Sequence, residues 1–468
     1  MIGGYSMRRT LVLTTLLLAL AVASLSFIHG LVDEDKDSVS ISETVLYGDK
    51  SVAEGLAVDL SAHCDHRLFW DTRYIVGEKP EISTDFVFSQ AQRTPKDSGH
   101  QIGIHIDHRF GGYGASSTGN LDLEDEPIPI RDVAGRTKPG ETRTEVVCIK
   151  DYYDYYPIRV GLDRRAEFAI NQDTLDHFAD FFKIPVHPNH RVEIKVQKDT
   201  SGNVRRIEMN PIDDGSVYFE VADALTDSGY FFTLSCLTED GKLLDTSNIP
   251  GGYGIYYYPL HNEGGDDRIL TADELRNVFP LDAERARVAG LQTSNDKSRL
   301  LLVTLEDETY MLTVIDAETV TKLQKIELMT AYRGSGPVSV GPQFRSLHIC
   351  DGFLVSQNGD GRFTLLALGP DGRYEVRFRG DFSLNEHLKK VFAYQVLQMD
   401  FNGEELAVAA FQDGLSSCSF YLAVYNERGL AYAGQYHHSL DRDRPADHRL
   451  GCRPVYYDAL SVSWGKKS

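Results

Sequence analysis

The sequence predicts an all-β fold, a propeller-like domain of roughly six to eight blades preceded by one N-terminal transmembrane helix. Three observations carry this expectation. Tyr (24) and Phe (22) are abundant, as strands favour. Short apolar runs separated by turn residues recur through the C-terminal half. One long uncharged apolar run stands near the N-terminus.

That run spans Thr10 to Ile28, 19 residues without a charge. A helix needs about 20 residues to cross the hydrocarbon core of a bilayer. Arg8 and Arg9 precede the run, and Asp33-Glu34-Asp35-Lys36-Asp37 follows it. The positive-inside rule then puts residues 1–9 in the cytoplasm and everything beyond the span outside it. A cleavable signal segment is the competing reading, because Ala21-Val22-Ala23 has the A-x-A form. The apolar run continues through Leu25, Phe27 and Ile28 past that site, which favours an uncleaved anchor. No cysteine lies in or just after the run, which argues against a bacterial lipoprotein anchor. The expected organisation is a cytoplasmic segment (1–9), an anchor or signal segment (10–28), a polar linker (29–45) and an extracytoplasmic β domain (46–468). The expected location is the cell membrane, crossed once.

Apolar residues make up 42% of the chain and charged residues 25%, enough to bury a large core. The net charge is −21, and such a surface repels phosphate backbones, which excludes nucleic acid as a partner. Six cysteines are widely spread with no metal-binding spacing. Cys148 and Cys236 sit inside apolar strand-like runs, where a thiol acts as a small apolar side chain. Mostly free thiols are therefore expected, although an even number outside the cytoplasm also permits disulfides.

The first half reads as strands at Val192–Val196, 206–209 and 217–221, each alternating with period two. A polar turn, Asp199-Thr200-Ser201-Gly202-Asn203, joins the first two. One helix is expected at 172–182. A second is expected from Thr271 to Val278, because Thr271-Ala272-Asp273-Glu274 has the capping-box form and Pro280 follows.

In the second half a strand–loop–strand–turn–strand unit repeats. One copy runs through 300–305, 310–315 and 320–328, a second through 353–356, 363–368 and 374–378, and a third through 406–411, 420–425 and 431–433. An earlier copy is read at 230–234 and 242–244, turned by Asp240-Gly241. Turn centres near 240, 318, 371 and 428 are about 78, 53 and 57 residues apart, and the last two intervals approach the ~40–50-residue period of propeller blades. The stretch Leu300-Leu301-Leu302-Val303-Thr304 followed by Leu312-Thr313-Val314-Ile315-Asp316-Ala317-Glu318-Thr319 resembles a YVTN-type β-propeller repeat. The resemblance is clearest over 291–328. It implies a propeller and binding at the propeller face, and no particular activity.

No sequence pattern supports catalysis, a cofactor or a metal. Gly334-Ser335-Gly336-Pro337-Val338-Ser339-Val340-Gly341 lacks the small residue that a nucleophile elbow needs at Pro337. No phosphate-binding glycine loop occurs between a strand and a helix. Histidines cluster at His63 and His66, at His100, His105 and His108, and at His437, His438 and His448, without zinc-ligand spacing. A strand at 104–108 would put His105 and Asp107 on one face and His108 on the other. Asp199–Asn203 lacks the glycine and glutamate of a calcium loop at the required offsets.

The expected function is therefore a membrane-anchored extracytoplasmic binding or sensing module without catalysis. The expected partner is a cell-surface protein, a peptide or a glycan. The alternatives are a carbohydrate-active hydrolase or lyase using paired carboxylates, and a cell-surface scaffold or assembly factor. The candidate ligand-binding residues are Tyr155, Tyr156, Tyr257 and Tyr258. They lie in tyrosine-rich runs (152–156 and 256–258) that each end in proline, where strands give way to loops. Tyrosine offers a broad apolar ring with a polar tip. In an extended strand, half of these rings would have to face inward.

Overall fold

The computed structural model describes residues 3–36, 39–64, 68–86, 104–162, 168–170, 177–178, 180–212, 217–238, 241–259, 261–262, 268–270, 274–331, 344–384, 386–392, 395–412, 419–439 and 455–465. Strands dominate, and nearly all of them pair in antiparallel fashion. The exception is the parallel pairing of Arg268–Leu270 with Phe168–Ile170. The chain divides into two compact units, one made of residues 1–99 with 350–468, the other of residues 100–349.

The first unit begins with one continuous helix, Gly3–Lys36. Its described side chains run from Leu11 to Phe27, and the large apolar ones among them are exposed. Among the described residues, no helix is long and apolar enough to cross a membrane.

Beyond the helix, Leu56–Cys64, Leu68–Ile75 and Glu81–Phe86 form a meander. Its free edge is taken by the last strand of the chain, Val455–Trp464. The sequence requires this arrangement. Val58, Leu60 and Ala62 alternate with polar residues, and so do Leu460 and Val462, so antiparallel pairing puts both apolar sets on one buried face. A second sheet orders Ile41–Gly48, Gly429–His438, Ser419–Asn426, Leu406–Phe411 and Gln398–Phe401. Its inner strands, Leu406–Phe411 and Ser419–Asn426, are buried almost throughout, as their unbroken apolar runs predict. A third meander holds Phe353–Asn358, Arg362–Leu368 and Tyr374–Asp381. A short helix, Glu386–Phe392, follows it.

In the second unit, Tyr113–Ser116, Val204–Pro211, Arg191–Lys198 and Thr142–Cys148 make one four-stranded sheet. Val217–Leu225, Gly229–Thr238, Gly254–Pro259 and Arg276–Pro280 make another. Arg287–Thr293, Arg299–Glu306, Thr309–Asp316 and Lys322–Thr330 make a third, as the clearest repeat predicts. Its middle hairpin turns at Asp307 and Glu308, both with positive φ, the backbone of a two-residue turn that follows strand twist. The Asp316 carboxylate accepts the amides of Glu318 and Thr319 and the Thr319 hydroxyl, closing the last turn. A two-stranded ladder pairs Ile104–His108 with Ile158–Leu162.

Several expectations are corrected. The capping-box segment does not form a helix through Val278, because Arg276–Pro280 is a strand on Gly254–Pro259. Edge pairing with an already ordered strand outweighs a local capping signal worth about 1 kcal/mol. Residues 271–273 lie outside the described residues. Of the expected helix at 172–182, the described residues His177, Phe178, Asp180 and Phe181 are helical, and 171–176 and 179 lie outside the described residues. Lys242–Leu244 does not continue the strand repeat. It touches Gly229–Thr238 through a single bridge, Leu237 to Leu243, and the chain then loops to Gly254. The two tyrosine-rich runs that end in proline are not equivalent: Pro259 ends a strand, whereas Pro157 precedes one.

Candidate functional site

The tyrosine-rich segments lie in the second unit. Residues 152–156 are not a strand but a loop following a turn of 3-10 helix, Ile149–Asp151. Two of its hydroxyls fasten the helix Ile128–Arg136. Pro127 caps that helix without a side-chain acceptor, and the Tyr153 hydroxyl accepts the otherwise orphaned amide of Ile128 at 2.9 Å. The Tyr152 hydroxyl donates to Asp132 at 2.7 Å. Burial and that carboxylate push its pKa up to about 12.

Of the four candidate residues, Tyr156 (3% exposed) and Tyr258 (0%) belong to the core of this unit. Tyr258 stacks on Phe178 at 5.2 Å. Tyr156 packs against His108 and Phe219. Tyr155 is 41% exposed. Tyr257 is half-buried, stacked on Phe231, covered by the Arg276 guanidinium, and donates to the Ser228 carbonyl. Strand alternation explains the second run: Tyr256 and Tyr258 point into one core, and Tyr257 lies on the opposite face, half-buried against a second core that includes Phe231 and Ile255.

His105 and Asp107 face outward from Ile104–His108, whereas Ile106 and His108 are buried, as the period-two reading expects. Among the described residues no group of three or more His, Cys, Asp or Glu could hold a metal. Asp199 closes its turn by accepting the Ser201 and Asn203 amides, and the Arg205 guanidinium pairs with it. Cys236 is buried, and Cys148 and Cys350 are half-buried, all three as thiols.

The first unit holds a polar network that the sequence reading missed. Glu43 lies opposite Tyr436 in the pairing of Ile41–Gly48 with Gly429–His438. The Tyr432 hydroxyl donates to Glu43 Oε1 at 2.7 Å. The Tyr436 hydroxyl lies 2.6 Å from Tyr432 Oη, and with the Tyr432 proton already used, Tyr436 donates to Tyr432. Lys50 holds the other carboxylate oxygen, Oε2. Burial raises the pKa of both tyrosines, so they remain neutral donors. Gly434 lies between the two rings on the same face. A Cβ there would collide with the Tyr432 hydroxyl and come within 2.9 Å of Tyr436 Cε2. The Tyr-x-Gly-x-Tyr alternation was the available signal, hidden because a tyrosine pair in a strand reads first as core. Glu43→Ala leaves the buried Tyr432 hydroxyl, and through it the Tyr432–Tyr436 pair, without its acceptor, and the urea unfolding free energy should fall by about 2–3 kcal/mol. Lys50→Met, at a partly exposed pair, should cost under about 1 kcal/mol. Equal effects of the two substitutions would contradict this ranking.

On its outward face the sheet that receives the last strand carries a cavity of ≈ 540 Å³, lined by Asp59, Ser61, Asp71, Arg73, Glu81, Ser83 and Ser461 among others. Small serines at alternate positions leave the depression. Asp59 pairs with Arg73, and Asp71 accepts the Ser61 hydroxyl at 2.7 Å. These are hydrogen-bonding groups suited to holding a polar ligand.

No family model matches the sequence, and no curated protein matches it. Among solved structures the chain is similar to a putative 6-phosphogluconolactonase from Bacteroides fragilis NCTC 9343, with 11% identity over 82% of this chain and 95% of that one, at a TM-score of 0.29. It is also similar to the β-propeller domain of Myceliophteria thermophila Cps50 (Swd1), with 9% identity over 52% and 81% and a TM-score of 0.24. A third is the Dos1 propeller, with 7% identity over 53% and 63% and a TM-score of 0.25. Several of the similar structures are thus propellers. At these identities and scores they say nothing of what this chain does.

Proposed function

We propose that this chain is a membrane-anchored binding or sensing module, its β part held outside the cytoplasm and its meander sheets serving as propeller blades with YVTN-type repeats. The observation that carries the proposal is the uncharged run Thr10–Ile28 inside a single helix, with Arg8 and Arg9 before it and an acidic cluster after it. A bilayer gives such a helix the apolar surroundings that water withholds. The partner is a peptide or glycan. Two places fit it: the serine-lined cavity of the first unit, and the surface tyrosines Tyr155 and Tyr257 of the second.

In intact cells, added protease should digest the β part while a cytoplasmic marker survives. Recovery of the protein in the culture supernatant beginning near Ser24 would overturn the anchor and leave a cleaved signal segment. Binding is tested on glycan and peptide arrays, where Ser61→Trp should abolish the array signal by filling the cavity. A hit unaffected by Ser61→Trp and by Tyr155→Ala would remove both places.

A further inference from the structure

The second unit buries a histidine pair that none of the roles above uses. His108, on Ile104–His108, is 6% exposed, and His190, just before Arg191–Lys198, is 1% exposed. Their ring centroids lie 5.4 Å apart. Phe110, Tyr156 and Phe219 enclose them.

Hydrogen bonds fix the His108 ring as neutral. The Phe110 amide donates to His108 Nδ1 at 3.1 Å, so the ring proton sits on Nε2, which donates to the Val217 carbonyl at 2.6 Å. The Tyr156 hydroxyl oxygen accepts the His187 amide at 3.2 Å and lies 2.8 Å from His190 Nδ1. His190 Nε2 is buried with no partner among the described residues. A second proton on His108 would displace the Phe110 amide, and one on either ring would put a buried cation beside another imidazole.

The groups facing the pair offer little compensation. Asp107 precedes His108 and points outward, its carboxylate accepting the His108 amide at 2.7 Å. His187 lies near His190 and lowers its pKa further. Burial raises the pKa of Tyr156 and of the Cys236 thiol near it, so both stay neutral.

We propose that His108 and His190 form an acid-sensitive latch, which holds the 152–156 loop and the 184–190 turn against Ile104–His108 and Val217–Leu225 at neutral pH and releases them on mild acidification. Both shifts have the matching sign. Burial holds His190 down to about 4 and lowers His108, against about 6.5 for an open imidazole. The open form therefore binds more protons below 6.5. The stabilisation is fully present above that value and drains away as pH falls toward 4. Each histidine that takes up a proton on opening raises the opening constant about tenfold per pH unit in this window.

The test is hydrogen exchange on the full chain in detergent, with exchange times scaled to intrinsic amide chemistry at pH 7.5, 6.0 and 5.0. Peptides containing the Phe110 and His187 amides should lose protection by at least tenfold per pH unit below 6, and regain it on return to pH 7.5. His190→Phe, which keeps a ring but cannot take a proton, should move the onset to lower pH. Unchanged protection between pH 7.5 and 5.0 would overturn the proposal. If His190→Phe does not fold, the imidazole proton resonances of the unaltered chain decide. Both rings should stay neutral until the loop and turn open, and midpoints near 6.5 with the loop and turn still protected would overturn it.

Discussion

Deleting residues 455–468 should abolish cooperative unfolding of the unit formed by 1–99 and 350–468. Val455–Trp464 pairs along the whole of Leu56–Cys64. Leu460 and Val462 fill the core beside Val58, Leu60 and Trp70. The Trp464 amide donates to Asp400 at 2.6 Å, tying the strand to Gln398–Phe401 as well. Two buried aliphatic side chains contribute about 1.5–3 kcal/mol each, and a ladder of hydrogen bonds contributes about 1 kcal/mol per bond. The loss is on the order of 10 kcal/mol, comparable to the whole stability of a typical domain. It also leaves Leu56–Cys64 with a bare edge, an invitation to aggregate. Thermal melts followed by circular dichroism check this. A truncated chain that melts cooperatively within a few degrees of the intact one would show that the last strand is dispensable.

Replacing Tyr156 and Tyr258 together by alanine should unfold the second unit or lower its melting temperature by more than about 10 °C. Each deletion of a buried aromatic costs about 3–5 kcal/mol. Tyr258 leaves Phe178 without its stacked partner, and Tyr156 leaves His190 and the His187 amide without theirs. The two rings sit in different aromatic neighbourhoods, so their effects should nearly add. Tyr155→Ala, at an exposed ring, should stay within about 0.5 kcal/mol of the intact protein. If the double variant melts like the intact chain, the rings do not support the core and their placement here is wrong.

The strands were legible where their apolar pattern was self-sufficient. Leu300–Leu305, Phe363–Leu368 and Leu406–Phe411 are inner strands, buried almost throughout, and they read as apolar runs broken only by Thr304 and Thr364. Arg191–Lys198 and Val204–Pro211 alternate because one face is less covered, and their turn is written in Asp199 and Gly202. Arg276–Pro280 was not legible, because nothing in five residues, none of them buried, announces a strand until Gly254–Pro259 is in place to receive it. Leu460-Ser461-Val462-Ser463-Trp464 carries the period-two pattern of a strand, but nothing in it names Leu56–Cys64 as its partner. The site was legible only in part. Tyrosine chemistry located crowded segments but could not separate hydroxyls that hold a helix, as Tyr152 and Tyr153 do, from rings that meet solvent, as Tyr155 does. Glu43 escaped notice because its partners are almost 400 residues away in the chain.

The pairing of Leu56–Cys64 with Val455–Trp464 also sets a clock. A ribosome adding about 5–20 residues per second needs roughly 20–80 s to reach Val455 after finishing Cys64. Throughout that interval the second strand of the chain exists without the neighbour that covers its edge. Nascent chains should therefore be most vulnerable to chaperone capture, and to pairing with one another on a shared messenger, before the codons for Val455–Trp464 are read. A pause placed early in the message would lengthen that exposure, whereas one placed after Trp464 would not.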